Sequence, residues 1–301
     1  MDFIEFLKVI LLGVIEGVTE WLPVSSTGHL ILFDAFWPLK ESEAFVNMFN
    51  VVVQLGAILA VIVVFWGRLW PFGLTKNADG KGVLPENRLG SGGVYARKDI
   101  LSMWLMVVVS CIPTAVIGLV LELTGVIDYL ETNCVVIAAM LILYGVAFIV
   151  VETRNKNRTP RVNSVAEIDW KYALLFGLFQ SLAMVPGTSR SGATIVGALL
   201  IGVSRTTAAE YSFFLAIPTM FGASLLKFVN FFIKGNALGG SEAFALVLGM
   251  AVAFLVSMLA IRFLMDFVKK HDFKPFGWYR IALGVLVLIF IFTGLMPAVT
   301  A

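Results

Sequence analysis

Six stretches of the chain are apolar for about 20 residues each, the length of a membrane-crossing helix: Ala44–Trp66, Leu101–Leu121, Cys134–Val151, Glu210–Ile233, Ala243–Leu264 and Gly277–Leu295. Two further apolar regions are broken in the middle by polar residues. Phe6–Trp37 contains WLPVSSTGH, and Trp170–Val203 contains MVPGTSRSG. Each half is about 14 residues, roughly 21 Å as a helix, too short to cross alone. Pro23 and Pro186 close the first halves, and the Ser and Thr residues after them suit the N-caps of the second halves. The pattern predicts two re-entrant hairpins, each entering as a helix, turning at a polar tip and returning as a helix. Irregular backbone at membrane depth is tolerated only where protein buries it or where it lines a wet cavity. Two kinked full spans are the alternative reading. The expected fold is an all-α polytopic membrane protein, a single membrane domain over residues 1–301, with six full transmembrane helices and two re-entrant hairpins.

The two broken regions match each other. GVIEGVTEWLPVSSTGH, from Gly13, aligns with GLFQSLAMVPGTSRSGA, from Gly177, at an offset of 164. Glu16 then pairs with Gln180, Ser25 with Ser189, Thr27 with Ser191 and Gly28 with Gly192, while the prolines are one position out of register. LGAILA (Leu55–Ala60) also resembles FGASLL (Phe221–Leu226). Three spans separate equivalent points, an odd number, so the copies are expected to be inverted-topology repeats. Repeat 1 covers residues 1–152 with its hairpin at 6–37. Repeat 2 covers 170–301 with its hairpin at 170–203. Such architectures place functional sites near the midplane, where the broken helices meet.

The basic residues orient the chain. Alternating the loops across six spans puts 14 on one side: Arg68, Lys76, Lys81, Arg88, Arg97, Lys98, Arg154, Lys156, Arg158, Arg161, Arg205, Lys269, Lys270 and Lys274. The other side receives Lys8, Lys40 and Lys234, with acids such as Glu122, Asp128 and Glu131. By the positive-inside rule the basic side is cytoplasmic and both termini face outward. Counting each hairpin as two crossings leaves the parity unchanged. Residues 67–100, rich in Gly, Lys, Arg and Asn, read as a mobile cytoplasmic loop that meets water and anionic headgroups.

Composition agrees. Hydrophobic residues make up 59% of the 301 and charged residues 14%, with a mean hydropathy of +0.93, which excludes an ordinary soluble domain. A net charge of +2 gives no case for nucleic acid as a partner. Cys111 and Cys134 sit in apolar runs and read as small buried hydrophobes, not as a disulfide or metal pair. The opening MDFIEFLKVI has neither the basic segment nor the small-residue cleavage site of a signal peptide.

Charged groups at mid-membrane are costly and default to function. Glu16, Glu20, His29 and Arg190 stand out. Glu16 and Glu20, four apart, share a helix face. Two carboxylates so close repel unless Arg190 or a divalent cation relieves them, and paired oxygens with water suit Mg²⁺ or Ca²⁺. Simple pairing with Arg190 is the plainer alternative. Ser26 and His29, three apart, can form a hydroxyl–imidazole pair, although a lone Ser-x-x-His is weak by itself. Arg190, flanked by Ser189 and Ser191, offers a planar fork for phosphate oxygens, and Thr194 lies one turn on. Both return helices start at a tip, so two helix N-termini with free N–H groups meet beside Arg190 and make an anion site. The residues describe a phosphate-handling site walled by apolar spans that suit a lipid tail.

At these positions the chain resembles the undecaprenyl-pyrophosphate phosphatase family, also called the bacitracin-resistance protein family. The resemblance rests on EGVTEWLPVSSTGH (Glu16–His29) and PGTSRSGAT (Pro186–Thr194) and extends over essentially the whole chain. It implies a hydrolase of the bacterial cytoplasmic membrane that removes the terminal phosphate of undecaprenyl pyrophosphate at the outer face. Its product is the lipid carrier of peptidoglycan synthesis, and its overproduction accompanies bacitracin resistance. The resemblance implies a divalent cation, with Glu16 and Glu20 at the cation and catalytic carboxylate positions. Ser26, His29, Ser189, Arg190 and Thr194 fall at its other site positions, and Ser25, Thr27 and Ser191 join the expected phosphate-binding set. Membrane lipids and the isoprenyl pyrophosphate are the expected partners, with a homo-oligomer left open. Ser26 as nucleophile with His29 as base, His29 as nucleophile, and a cation-activated water are three open schemes. The rival class is a lipid-phosphate transporter or flippase, which the same inverted repeats and midplane anion site would suit.

Overall fold

The computed structural model describes residues 1–74, 88–89, 94–126, 130 and 133–297. Lys76, Lys81, Asp128 and Glu131, counted above for orientation, lie outside the described residues.

The first broken region forms α1 (Phe3–Thr19) and α2 (Ser26–Phe36). Then come α3 (Glu43–Val52), α4 (Gln54–Val64), the short α5 (Trp66–Leu69), α6 (Lys98–Leu123) and α7 (Cys134–Asn155). The second broken region forms α8 (Trp170–Ser181), a 3₁₀ turn at Leu182–Met184 and α9 (Arg190–Leu200). The chain closes with α10 (Arg205–Ile233), α11 (Gly240–Lys270) and α12 (Lys274–Phe292). Side-chain caps start many of these helices. Asp2, Ser42, Asn133, Asp169 and Ser204 each accept a backbone N–H from the first turn that follows, which satisfies donors a helix start leaves orphaned.

Among the described residues six helical segments are long and apolar enough to cross a membrane: Glu43–Val64, Lys98–Leu123, Cys134–Asn155, Arg205–Ile233, Gly240–Lys270 and Lys274–Phe292. The first is made of α3 and α4, which meet at Val53. The protein is an all-helical multi-pass membrane protein. Its outer surface fits that solvent. Leu105, Val108, Ile112, Val116 and Leu119 form an exposed apolar stripe along α6, a large patch that water would penalise and lipid does not.

The helices approach closely through small residues, as expected where lipid offers no hydrophobic drive for association. α7 packs along α12, and a Cβ built on Gly145 would lie 2.7 Å from the Gly277 carbonyl oxygen, with the reverse contact equally short. α1 packs on α11, where Gly13 and Gly17 face the carbonyl oxygens of Gly249 and Ala253. α8 packs on α6, with Gly177 against the Ser110 carbonyl, and α4 touches both α10 and α11. Trp21, Phe176, Tyr211, Phe213 and Phe214 sit in the largest buried cluster.

Two expectations need correction. The first halves of the broken regions stop before their prolines. α1 ends at Thr19 and passes through hydrogen-bonded turns to Val24, and α8 ends at Ser181. A proline lacks the N–H for the carbonyl four residues back and its ring crowds that carbonyl, so Pro23 and Pro186 end each helix about one turn ahead of themselves, near Thr19 and Leu182. The described residues within 67–100, read above as a mobile loop, carry regular structure. They hold the end of α5 and a small antiparallel sheet of β1 (Phe72–Leu74), β2 (Arg88–Leu89) and β3 (Val94–Arg97), in the order β1-β3-β2. Phe72 lies opposite Ala96, and Arg88 opposite Arg97.

Candidate active site

Both return helices begin in the same way. Ser25 and Ser189 are the two non-glycine residues at positive φ among the described residues, at 75° and 69°. Each caps the helix that follows, Ser25 Oγ accepting the Gly28 N–H at 3.4 Å and Ser189 Oγ accepting the Gly192 N–H at 3.1 Å. A non-glycine residue held at positive φ costs about 1–3 kcal/mol and persists where its surroundings determine it. The repeat alignment already pairs these two serines.

The tips touch. Ser191 Oγ donates to the Glu20 carbonyl at 3.3 Å. The Arg190 guanidinium donates to Glu20 Oε1 through Nη2 at 3.1 Å and Nε at 3.3 Å, and to the Ser212 carbonyl at 2.8 Å. It also lies over the Trp21 ring at 5.7 Å. The other Glu20 oxygen accepts the Ser26 hydroxyl at 3.1 Å. One carboxylate thus joins the arginine of one tip to the hydroxyl of the other. Thr194 Oγ1 is tied to the Ser212 hydroxyl at 2.7 Å and to the Arg190 carbonyl at 2.9 Å.

Glu16, one turn before Glu20 on α1, is fully buried, and neither of its carboxylate oxygens has a hydrogen-bond partner among the described residues. An unpaired buried carboxylate is costly, so a cationic partner suits it. The unpartnered oxygens of Glu16 suit a hard divalent cation, and Glu20 would join them by releasing Arg190 or Ser26 from one of its oxygens. Among the described residues no three His, Cys, Asp or Glu groups gather at one point. A cation held by these two carboxylates would complete its shell with water and phosphate, the habit of Mg²⁺.

His29 is held differently from the sequence expectation. Its Nδ1 donates to the Ser25 carbonyl at 2.7 Å, and its Nε2 contacts the Tyr279 hydroxyl at 2.6 Å. The two rings stack with centroids 5.6 Å apart and planes 7° apart. With Nδ1 protonated, the neutral ring keeps its lone pair on Nε2, aimed at Tyr279. Ser26, whose hydroxyl points to Glu20, does not bond His29. Thr27 is exposed at the same tip.

Sequence reasoning passed over Arg280. This fully buried arginine of α12 donates to Pro23 O at 3.2 Å in one tip, and to Gly187 O at 2.7 Å and Thr188 O at 2.9 Å in the other. It satisfies carbonyls that the two irregular tips leave without ladder partners. Its neighbour Tyr279 holds His29, so one helix turn positions both hairpins. The signal was present in the sequence. GWYRIALG puts an arginine inside an apolar run, the same argument that singled out Arg190. Ser212 and Trp21 carried no such mark.

The bacitracin resistance protein BacA model matches residues 9–286. An undecaprenyl-diphosphatase of Enterococcus faecalis is 53% identical over 96% of this chain and 98% of its own length. One from Lachnoclostridium phytofermentans is 51% identical over 95% of this chain and 97% of its own, and undecaprenyl-diphosphatase 1 of Clostridium acetobutylicum is 51% identical over 96% and 98%. With a family model and full-length relatives in agreement, this chain belongs to the bacitracin resistance protein BacA family.

Proposed function

We propose that this protein hydrolyses undecaprenyl pyrophosphate to undecaprenyl phosphate and inorganic phosphate, at the outer face of a bacterial cytoplasmic membrane. The names of relatives about half identical over nearly their full length support the reaction. The single structural observation that carries it is the Arg190–Glu20–Ser26 chain across the two tips. It joins a phosphate-binding fork, a carboxylate and a hydroxyl within hydrogen-bond reach of each other.

In this reading the isoprenyl tail lies among the apolar helices and the pyrophosphate reaches the tips. Arg190 and the N–H groups that open α2 and α9 bear on the charge that builds on the terminal phosphate, the largest catalytic contribution in such reactions. Ser26 Oγ attacks the terminal phosphorus, its proton passes to Glu20, and the bond to the bridging oxygen breaks to leave undecaprenyl phosphate. Water then cleaves the phosphoserine, which frees inorganic phosphate and restores Ser26. The observed Ser26–Glu20 bond favours Glu20 over His29 as proton acceptor, and His29 orients the tip through Ser25 and Tyr279. A Mg²⁺ or Ca²⁺ ion held by Glu16 and Glu20 would neutralise phosphate charge when bound. Ser25, Ser189, Ser191 and Thr194 shape the tips, and Thr27 stands free to meet the phosphate.

Re-entrant hairpins in inverted repeats belong to the same reading. Support comes from reciprocal packing: the first helix of hairpin 1 lies on α11, the second span of repeat 2, and that of hairpin 2 lies on α6, the second span of repeat 1. The matched serines at positive φ add to it. Both termini then face outward. Purified protein in detergent, with divalent cation and no second compartment, is expected to release one phosphate per undecaprenyl pyrophosphate. Lipid binding without release would favour a transporter instead.

A further inference from the structure

A cavity of about 1120 Å³ lies away from the tips. The 11 residues of α9 run roughly 16 Å, from Arg190 at the tip to Leu199 and Leu200 in the cavity wall. Lys156, Arg158 and Arg161, from the segment between α7 and α8, line it together with Lys171 and Arg205. Glu152 is the one carboxylate in the lining, and it is already occupied by Arg205 Nη2 at 2.6 Å and the Phe273 N–H at 3.0 Å. Lys156, Arg158, Arg161 and Lys171 form no ion pair among the described residues.

The wall is fixed in place. Arg161 N–H donates to Gly202 O at 2.7 Å, Ser204 N–H to Val162 O at 2.9 Å, and the Asn155 amide to Leu199 O at 2.8 Å. Lys156, Arg158, Arg161 and Lys171 are exposed around one space and make a positive patch that an anion would neutralise. One side of the space is apolar and faces outward. Leu175 and Leu200 line it at 37% and 52% exposure, and exposed Trp170 stacks under Lys171 Nζ at 5.6 Å. Trp at such a position marks the headgroup level of a bilayer.

We propose that this cavity binds the phosphate headgroup of an anionic phospholipid, with the acyl chains leaving past Leu175 and Leu200. Free phosphate shares the headgroup chemistry, but it has no use for the apolar side. The site is separate from the tips and independent of the reaction proposed for them.

The test is binding of dioleoyl phosphatidylglycerol and dioleoyl phosphatidylcholine to the full-length protein in detergent, read by native mass spectrometry. Wild type should prefer phosphatidylglycerol. Each basic residue near an anionic headgroup contributes about fivefold, so Arg158→Gln with Arg161→Gln should weaken phosphatidylglycerol about 25-fold. Phosphate release from undecaprenyl pyrophosphate in that variant should stay at the wild-type level, which also reports its folding. Arg158→Lys with Arg161→Lys should retain most of the binding. Neutralising Arg154 and Lys270, basic residues outside the cavity, should change it little. Unchanged phosphatidylglycerol binding in the double Gln variant, or an equal loss in the control pair, would overturn the proposal. So would full displacement of the lipid by millimolar inorganic phosphate.

Discussion

Arg190 and Glu20 meet at 3.1 Å although 170 residues separate them, one from each broken region of the chain. Both are largely withdrawn from solvent, with side chains 12% and 9% exposed. The contact ties the two tips to each other, with Ser26 on the other oxygen of the same carboxylate. An arginine can do this because its planar fork serves Glu20 and the Ser212 carbonyl at once. A lysine is a single point charge.

Arg190→Lys should therefore fold but lose about 10²–10³ in kcat, the scale of removing one charge-stabilising donor. Arg190→Ala should also melt at a lower temperature, because it leaves Glu20 buried without its cation. Phosphate-release kinetics and a thermal melt in the same detergent check both. An Arg190→Lys enzyme with normal kcat would show that the fork is not needed.

Arg280 touches both tips but no reacting group, so it is a positioning residue. Arg280→Met should strand the Pro23, Gly187 and Thr188 carbonyls, at about 1–3 kcal/mol for each one buried without a partner. The expected result is a lower melting temperature and a lower kcat with KM changed less. A variant as stable as wild type would mean that water takes over those carbonyls.

Tyr279→Phe removes the partner of His29 Nε2 while keeping the stacked ring. If His29 only orients the first tip, kcat should fall less than about tenfold and the phosphorylated intermediate should still map to Ser26. Phosphate found on His29 would replace the serine scheme, and no adduct at all would favour direct attack by water.

Glu16→Gln removes a charge without changing shape. A neutral amide no longer needs a cation, so melting temperature should hold or rise while divalent-cation binding, read by titration calorimetry, weakens at least tenfold. Unaltered cation affinity would move the metal away from the first tip.

Much of the architecture was legible in the sequence because lipid imposes a length rule. The run Cys134–Val151 became α7, and Gly277–Leu295 overlaps α12, since a helix is the simple way to satisfy backbone groups in hydrocarbon. The caps at Ser25 and Ser189 were readable too, from serines placed just after a break. What periodicity misses is contact between distant segments. Nothing local says that Ser26 turns to Glu20 rather than to His29, three residues on. His29 is instead held by Tyr279 on α12, 250 residues from it, and Glu20 by Arg190. The small sheet around Phe72 and Ala96 was hidden for another reason, because its strands are two to four residues long and carry no alternation to read.

The central claim is that two tips form one catalytic site, and a double-mutant cycle on phosphate release tests it most directly. Residues that act as a unit are strongly non-additive. Arg190→Ala and Glu20→Gln should each lower kcat by about 10²–10³, and the double variant should be little slower than the slower single one. Independent losses that multiply, or near wild-type release from either single variant, would contradict it.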